Sequence, residues 1–504
     1  MPARTLMIQG TSSSVGKSLL VTALCRRFAQ YGVRVAPFKA QNMSNNAAVC
    51  SDGAEIGRSQ FVQAVAAGVE PTAMMNPILL KPEGNARSQV IVMGRPWRSL
   101  AAGEYYGHKQ ALWDVVTTVL DRLRAAYELV IIEGAGSPAE LNLQAGDVVN
   151  MAVAQYTRAP VLLAGDIDRG GIFAQLLGTV WLLAPEHRAL VRGLVVNKFR
   201  GNLALFTDGA RILEARSGLP VLGVVPFLPD VYLPEEDSAT LDESIRSASP
   251  HPETIDIAVL RLPRIANFDD FSPLAAEAGV SLRYVSSHAT LGQPHAIILP
   301  GTKSTMADLL WLREQGLDQA IITLAAGGTA VVGICGGYQM LGKRIRDPHG
   351  VESSQPDMPG LGLLPVETLF ACTKTTHQVT AQMRGGPGWL ASLHSHMIQG
   401  YEMHMGHTVS QHPWLDITRR SHTSVSQQDG ATDATGRVWG CYLHGLFVND
   451  ALRHAWLRSL GWTPPRQLIS PAGAFQLTLD TLAKHVEAHL NMEQLEAIIW
   501  DNSC

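Results

Sequence analysis

Between residues 129 and 199, three short runs, "LVIIEGAG", "PVLLAGD" and "RGLVVNKF", each hold an unbroken apolar stretch ("LVII", "PVLLAG" and "GLVV") that ends at a polar residue. A strand with one wet face alternates polar and apolar residues. A strand apolar on both faces lies in a sheet covered on both sides by helices. With "TLMIQG", "RVAPFKA" and "PVLGVVPF" these make six strand-length runs in the first 230 residues. Between them lie stretches such as "GKSLLVTALCRRFAQYG", apolar at helical spacing and ended by glycine. The pattern predicts a parallel-sheet α/β domain over residues 1–232.

Around residue 230 the texture changes. "PDVYLPEEDSATLDESIRSASPHPET" is rich in Pro, Ser, Asp and Glu, and the reading places a linker at 233–253. Strand-like runs then resume as "IDIAVLRL", "SLRYVSS", "HAIILPG", "TAVVGICGG", "GLGLLPVETL" and "WGCYLHG", with helical stretches such as "TMADLLWLREQG" among the first of them. This predicts a second α/β domain over 254–504, with a helical tail from about 450 broken at "PPRQ". A chain of 504 residues is too long for one core, which fits two domains.

Composition narrows the class. Hydrophobic residues make up 46% and charged residues 17%, as in a globular, well-buried protein. The net charge of −4 and the lack of a basic stripe argue against a nucleic-acid partner. No apolar run approaches the roughly 18 residues of a membrane span, and "MPARTLMIQG" lacks the pattern of a signal peptide. Six cysteines are sparse and unpatterned, so neither a disulfide framework nor a zinc site is expected, and a reducing cytoplasm is the simplest location.

Directly after the first strand comes "GTSSSVGKS", Gly10 to Ser18. The strict phosphate-loop pattern has four residues between its glycines. Here five separate Gly10 from Gly16, and Thr11 stands where the strict pattern has its first glycine. The physical requirement is still met, because small residues such as Ser12 let backbone N–H groups face a phosphate at a helix N-terminus. Lys17 can reach the β- and γ-phosphates, and the Ser18 hydroxyl can ligate Mg²⁺. Glu133 ends the strand "LVIIE", where ligands of open parallel sheets collect. Asp166 ends another strand, where helix capping explains it equally well. Lys39 ends a third and reads either as a surface lysine or as a phosphoryl clamp. Asn197 and Lys198 close "LVVNKF", a weak indication of a nucleotide base.

A second site is read at "VVGICGGYQML". Three glycines around one cysteine suit a sharp strand-to-helix turn that exposes a nucleophile. The following helix favours the thiolate, and the Gly336 N–H can donate to an oxyanion beside Cys335. Gly301, in "ILPGTKST", is placed to present a second donor. The base should be a histidine remote in sequence, and His444, ending "VWGCYLHG", is best placed among 17 histidines. Cys25, Cys372 and Cys441 read as buried small hydrophobes. The cluster His394, His396, His404 and His407 has no zinc-like spacing and reads as surface or substrate-side histidines.

"GICGGYQM" with a downstream "YLHG" resembles the triad-type glutamine amidotransferase domain, and "GTSSSVGKS" with "IIEGAGSPAE" resembles the dethiobiotin-synthetase-like ATP enzymes. The two fused in this order are similar to the cobyrinic and cobyric acid amidating enzymes of cobalamin biosynthesis. Within that group, "FKAQNMSNNA", "EGAGSPAELNL", "DIDRGGIFAQ", "VNKFRG" and "LPGTKST" resemble the cobyric acid synthase pattern rather than cobyrinic acid a,c-diamide synthase. The resemblance implies that Cys335 attacks the glutamine side-chain amide, with His444 as proton shuttle and Gly301 and Gly336 as oxyanion donors. It implies that Lys17 and Ser18 hold ATP and Mg²⁺, with Glu133 and either Glu55 or Asp52 as metal ligands. Lys39 and Asn42 would face the phosphoryl group or the corrinoid, and the loop 39–60 would be near the corrinoid. The implied reaction converts four carboxylates (b, d, e and g) of adenosylcobyrinic acid a,c-diamide to amides through acyl phosphates. The family triad places a Glu two residues after the His; here Leu446 stands there, so the group orienting His444 is not identified. A partition-type P-loop ATPase switch is the competing reading from another class.

Overall fold

The computed structural model describes residues 2–84, 86–142, 147–229, 231, 233–234, 254–465 and 470–501. Most of the expected linker, and the "RQ" of "PPRQ", lie outside the described residues.

Six wholly parallel strands form the first sheet, in the order Val221–Pro226, Val191–Phe199, Val161–Asp166, Arg4–Gly10, Leu129–Glu133, Val35–Phe38. All six apolar runs of the first domain are these strands. Leu129–Glu133 and Val161–Asp166 are buried at every position, as two covered faces require. Helix Lys17–Gln30 follows the central strand and packs Leu20, Leu24 and Phe28 onto one face. Residues 41–101 add a side structure that no apolar periodicity announced. It is a four-stranded sheet of Gln41–Met43, Ile78–Gly84, Arg87–Val92 and Arg95–Ala101, beside a hairpin of Ala47–Val49 and Glu55–Gly57 that leads into helix Arg58–Ala66.

The second sheet runs Val280–Val285, Ile255–Leu260, Ala296–Leu299, Ala330–Ile334, Val438–Cys441, Ala431–Thr432. Its first five strands are parallel and the last is an antiparallel edge. Between Ala330–Ile334 and Val438–Cys441 the chain leaves to build a separate, largely antiparallel sheet around the 17-residue strand Glu367–Met383. The run "GLGLLPVETL" therefore enters this third sheet, at Glu367, and not the parallel one. Cys372 also departs from expectation. It is exposed, because the long strand projects beyond the core and slips register against its partner between Phe370 and Thr375.

The C-terminal tail is helical, and it crosses back. Helices Pro471–His489 and Met492–Trp500 bury Leu479, Leu482, Val486, Leu495 and Ile499 in the same cluster as Leu20, Leu24 and Phe28. Arg26 and Asp480 pair at 2.8 Å, and Arg27 Nε donates to Glu487 at 2.7 Å. The last two helices thus complete the core of the nucleotide-binding half. A small apolar cluster of Ala47, Val49, Leu79, Ile91, Tyr401 and Met403 joins the two halves directly, flanked by an ion pair of Glu83 with Lys303 at 2.9 Å.

Candidate active site

The phosphate loop leaves the central strand of the first sheet, between strands ending at Glu133 and Asp166, which is where an open parallel sheet binds ligands. Gly16 begins the helix with φ +96°, a conformation that favours glycine, and an added Cβ would lie 2.2 Å from Asn197 Nδ2. Asn197 donates to the Val15 carbonyl at 2.7 Å, so it braces the loop from below. Gly10 is needed for room: a Cβ there would meet Val15 Cγ2 at 2.5 Å. The Thr11 hydroxyl meets Gln175 Oε1 at 3.2 Å, and Ser12 offers its carbonyl to Lys17 Nζ at 2.9 Å. Lys17 also donates to the Gly136 carbonyl at 3.0 Å, so its ammonium lies over the loop.

Ser18, Lys39 and Glu133 come together. Glu133 Oε1 accepts from Ser18 Oγ at 2.9 Å and from Lys39 Nζ at 2.8 Å, while Oε2 accepts from Gln63 Nε2 at 2.5 Å. Burial alone would raise the Glu133 carboxyl, but Lys39 and the two neutral donors hold it below the ordinary range. Lys39 is therefore buried against the site. Asn42 is buried in the strand Gln41–Met43 and donates to Gln60 Oε1 at 3.1 Å. Asp166 accepts the Asp168 amide and pairs with Lys198 at 3.0 Å, so it shapes its own turn.

The second metal candidate does not join this group. Glu55 has Lys81 on Oε2 at 2.9 Å and Lys374 on Oε1. Burial would raise its carboxyl, yet the two ammonium groups take it down to about 2. Both oxygens are committed to cations, which leaves no place for a metal. Asp52 is exposed and accepts the Ala54 amide at 2.9 Å, closing a hairpin turn.

In the second domain the three strands at the centre of the parallel sheet deliver the chemistry. Ala330–Ile334 ends at Cys335, whose φ of +51° and ψ of −108° mark a strained elbow before helix Gly336–Leu341. The glycines have distinct reasons. A Cβ at Gly337 would lie 1.9 Å from the Leu299 carbonyl oxygen, and one at Gly336 would lie 2.7 Å from Thr302 Cγ2. The neighbouring strand, Ala296–Leu299, leads to Gly301, where a Cβ would meet His444 Cε1 at 2.7 Å. On the other side Val438–Cys441 leads to His444. Cys335, Gly301, Gly336 and His444 thus converge as the sequence predicts. They line a cavity of about 380 Å³ that also takes Lys81, Arg87 and Gln89 from the first domain.

The orienting group is Asp270. Its Oδ2 meets His444 Nδ1 at 2.6 Å, and its Oδ1 accepts the Gly445 amide at 2.9 Å. Burial alone would push the imidazole down, but Asp270 and Cys335 together hold it up at about 10. Cys335 lies within hydrogen-bonding reach of the ring, and its Sγ is 3.5 Å from the Met403 carbonyl oxygen. Tyr401 stacks on the imidazole, centroids 5.1 Å apart and 18° off parallel. Asp270 escaped the sequence reading because it stands 174 residues before the histidine it serves. The available signal was "NFDDF", two acids just beyond the strand Ile255–Leu260. The histidine cluster is dispersed in contacts of its own: His404 stacks on Tyr442 at 3.8 Å, and His394 bonds the Arg384 carbonyl.

A strained cysteine with a carboxylate-backed histidine, joined in one chain to a phosphate loop and its carboxylate, defines a glutamine amidotransferase fused to a nucleotide-binding domain. Residues 256–452 match the family described as CobB/CobQ-like glutamine amidotransferase domain, and residues 6–241 match the CobQ/CobB/MinD/ParA nucleotide binding domain. Over 98% of its length the chain is 56% identical to a cobyric acid synthase of Roseiflexus castenholzii, covering 99% of that protein. It is 50% identical to a cobyric acid synthase of Moorella thermoacetica, over 99% of this chain and 97% of that one. The chain belongs to the cobyric acid synthase family. No helix among the described residues is long and apolar enough to cross a membrane.

Proposed function

We propose that this protein amidates four side-chain carboxylates of adenosylcobyrinic acid a,c-diamide, using ATP and glutamine, in a reducing cytoplasm. The observation that carries this reading is the pairing of two incomplete chemistries in one molecule. Cys335 can release ammonia but cannot make it react with a carboxylate. The phosphate loop can activate a carboxylate but supplies no nitrogen.

In the first half-reaction the Cys335 sulfur attacks the glutamine amide carbon. The backbone amides of Gly336 and of the Gly301–Thr302 turn would donate to the oxyanion, and both segments line the cavity beside Cys335. His444, held by Asp270, gives its proton to the departing ammonia and then takes one from the water that hydrolyses the thioester to glutamate. In the second half-reaction a corrin carboxylate oxygen attacks the γ-phosphorus of ATP and ADP leaves. Ammonia adds to the acyl phosphate carbon, phosphate departs, and the nitrogen loses a proton. Lys17 and Lys39 balance charge on the transferring phosphoryl group. Ser18 and Glu133 offer two hard oxygens 2.9 Å apart that would hold Mg²⁺ with phosphates and water, once the Lys39 ammonium on Glu133 Oε1 turns to the phosphoryl group. When bound, the ion neutralises phosphate charge.

A largely apolar hollow of about 600 Å³ is the candidate corrinoid seat. Leu80, Val90, Leu100 and Met151 line it beside Gly136, the residue whose carbonyl Lys17 touches. Of the loop 39–60, Gln41 and Met43 reach this wall. Incubation with ATP, Mg²⁺, glutamine and adenosylcobyrinic acid a,c-diamide tests the reading by mass spectrometry. Four successive carboxyl-to-amide conversions are expected. Two, starting from cobyrinic acid, would indicate a,c-diamide synthesis instead.

A further inference from the structure

Helix Arg58–Ala66 belongs to the nucleotide-binding half, yet its first residue reaches the residues that back His444 in the glutaminase site. Arg58 Nη2 pairs with Asp269 Oδ2 at 2.8 Å and donates to the Tyr401 hydroxyl at 2.9 Å. These are the two residues that flank the working pair. Asp269 precedes Asp270, which holds His444. Tyr401 stacks on His444 and exchanges two backbone bonds with it, at 2.9 and 3.1 Å. The Tyr401 hydroxyl also receives Asn267 Nδ2 at 3.0 Å, so three residues converge on that oxygen and ring.

The pairing is poorly explained as stabilisation. Arg58 is 8% exposed, and among the described residues neither Arg58 Nε nor Asp269 Oδ1 has a hydrogen-bond partner. A buried ion pair with open valences costs more in desolvation than a satisfied one. It does solve one local problem. Asp269, half-buried, and Asp270, buried, are adjacent carboxylates and repel each other. A cation on Asp269 keeps the Asp270 charge available to His444. The helix that carries Arg58 is itself fixed elsewhere. Gln60 accepts from Asn42, and Gln63 donates to Glu133, both side chains being fully buried. About 7.5 Å of helix separates Arg58 from Gln63.

We propose that Arg58 is a positioning residue for the glutaminase reaction, supplied by the other domain: it sets Asp269 and Tyr401 so that Asp270 and His444 hold their geometry. This rests on Cys335 being the glutaminase nucleophile. The test uses the full chain and the variants R58A, R58K and Y401F. Each is assayed for glutamine hydrolysis and for amidation of the corrinoid with ammonium, which bypasses Cys335. R58A should lower glutaminase kcat about 30-fold or more while the KM for glutamine moves less than about threefold, the signature of a lost transition-state interaction. R58K keeps a cation for Asp269, but its shorter, non-planar side chain does not put nitrogen where Arg58 Nη2 meets both partners, so it should recover part of the loss. Y401F should fall between R58A and wild type. Ammonium-dependent amidation should stay within about threefold of wild type in all three. A glutaminase kcat for R58A within about threefold of wild type overturns the proposal. So does an equal loss of ammonium-dependent amidation in R58K and Y401F, which would mark a merely structural role. Unchanged glutamine hydrolysis in C335A would instead remove the reading beneath it.

Discussion

Replacing Asp270 by Asn exchanges one buried oxygen for an amide nitrogen beside the proton shuttle. Both carboxylate oxygens accept, one from His444 Nδ1 at 2.6 Å and one from the Gly445 amide at 2.9 Å. Asparagine has a single acceptor, so D270N leaves at least one of these N–H groups facing another donor. Losing a buried hydrogen bond to a charged partner costs about 1.5–3 kcal/mol. Losing the carboxylate also removes a main support of the imidazolium, at about 1.36 kcal/mol per pKa unit. Together these amount to about 3–4 kcal/mol, so glutaminase kcat should fall on the order of 100- to 1,000-fold. The assay is glutamate release, run beside ammonium-dependent amidation, which should persist. Stability should respond too. The ring is held at about 10, well above its unfolded value of 6.5. The stabilisation it brings is therefore fully present below pH 6.5 and is lost as pH rises through about 10. D270N should flatten that decline in urea unfolding at successive pH values. A D270N enzyme hydrolysing glutamine within about threefold of wild type would refute the reasoning.

Four further substitutions bear on the account. C335A should abolish glutamate release yet amidate with ammonium salts at raised pH; loss of both would break the separation of the two sites. In G301A the new Cβ faces His444 Cε1 at 2.7 Å, so glutaminase kcat should drop about 10-fold or more, read by glutamate release. G16A forces a Cβ to 2.2 Å from Asn197 Nδ2 at a positive φ, and calorimetry should find ATP binding weakened about 10-fold or more. G337A drives a Cβ against the Leu299 carbonyl and should cost about 3 kcal/mol of stability, measured by denaturant unfolding.

What was legible in the sequence depended on how local the signal was. Both parallel sheets were readable because covered strands are apolar throughout, and both nucleophile and phosphate loop because glycine marks each tight turn. The antiparallel sheet around Glu367–Met383 was not, since its burial alternates irregularly and its run begins in a bend. Glu55 illustrates a different limit. An acid in a glycine-containing loop looks free in a sequence, whereas its partners Lys81 and Lys374 lie 26 and 319 residues away. Asp270, Arg58 and the returning tail helices share that property: their meaning comes from contacts made across the whole chain. Sequence texture placed the tail with its neighbours, but its apolar face fits the helix Lys17–Gln30 instead.

The central claim is that Cys335 provides the nitrogen and the phosphate loop provides the bond. The most direct measurement gives the enzyme ATP, Mg²⁺, adenosylcobyrinic acid a,c-diamide, glutamine labelled at its side-chain amide nitrogen, and unlabelled ammonium. Mass spectrometry then reads the label in each new amide. Wild type should place labelled nitrogen in all four amides, and C335A should make the same product with unlabelled nitrogen only. Labelled amides from C335A, or unlabelled amides from wild type at neutral pH and low ammonium, would contradict the account.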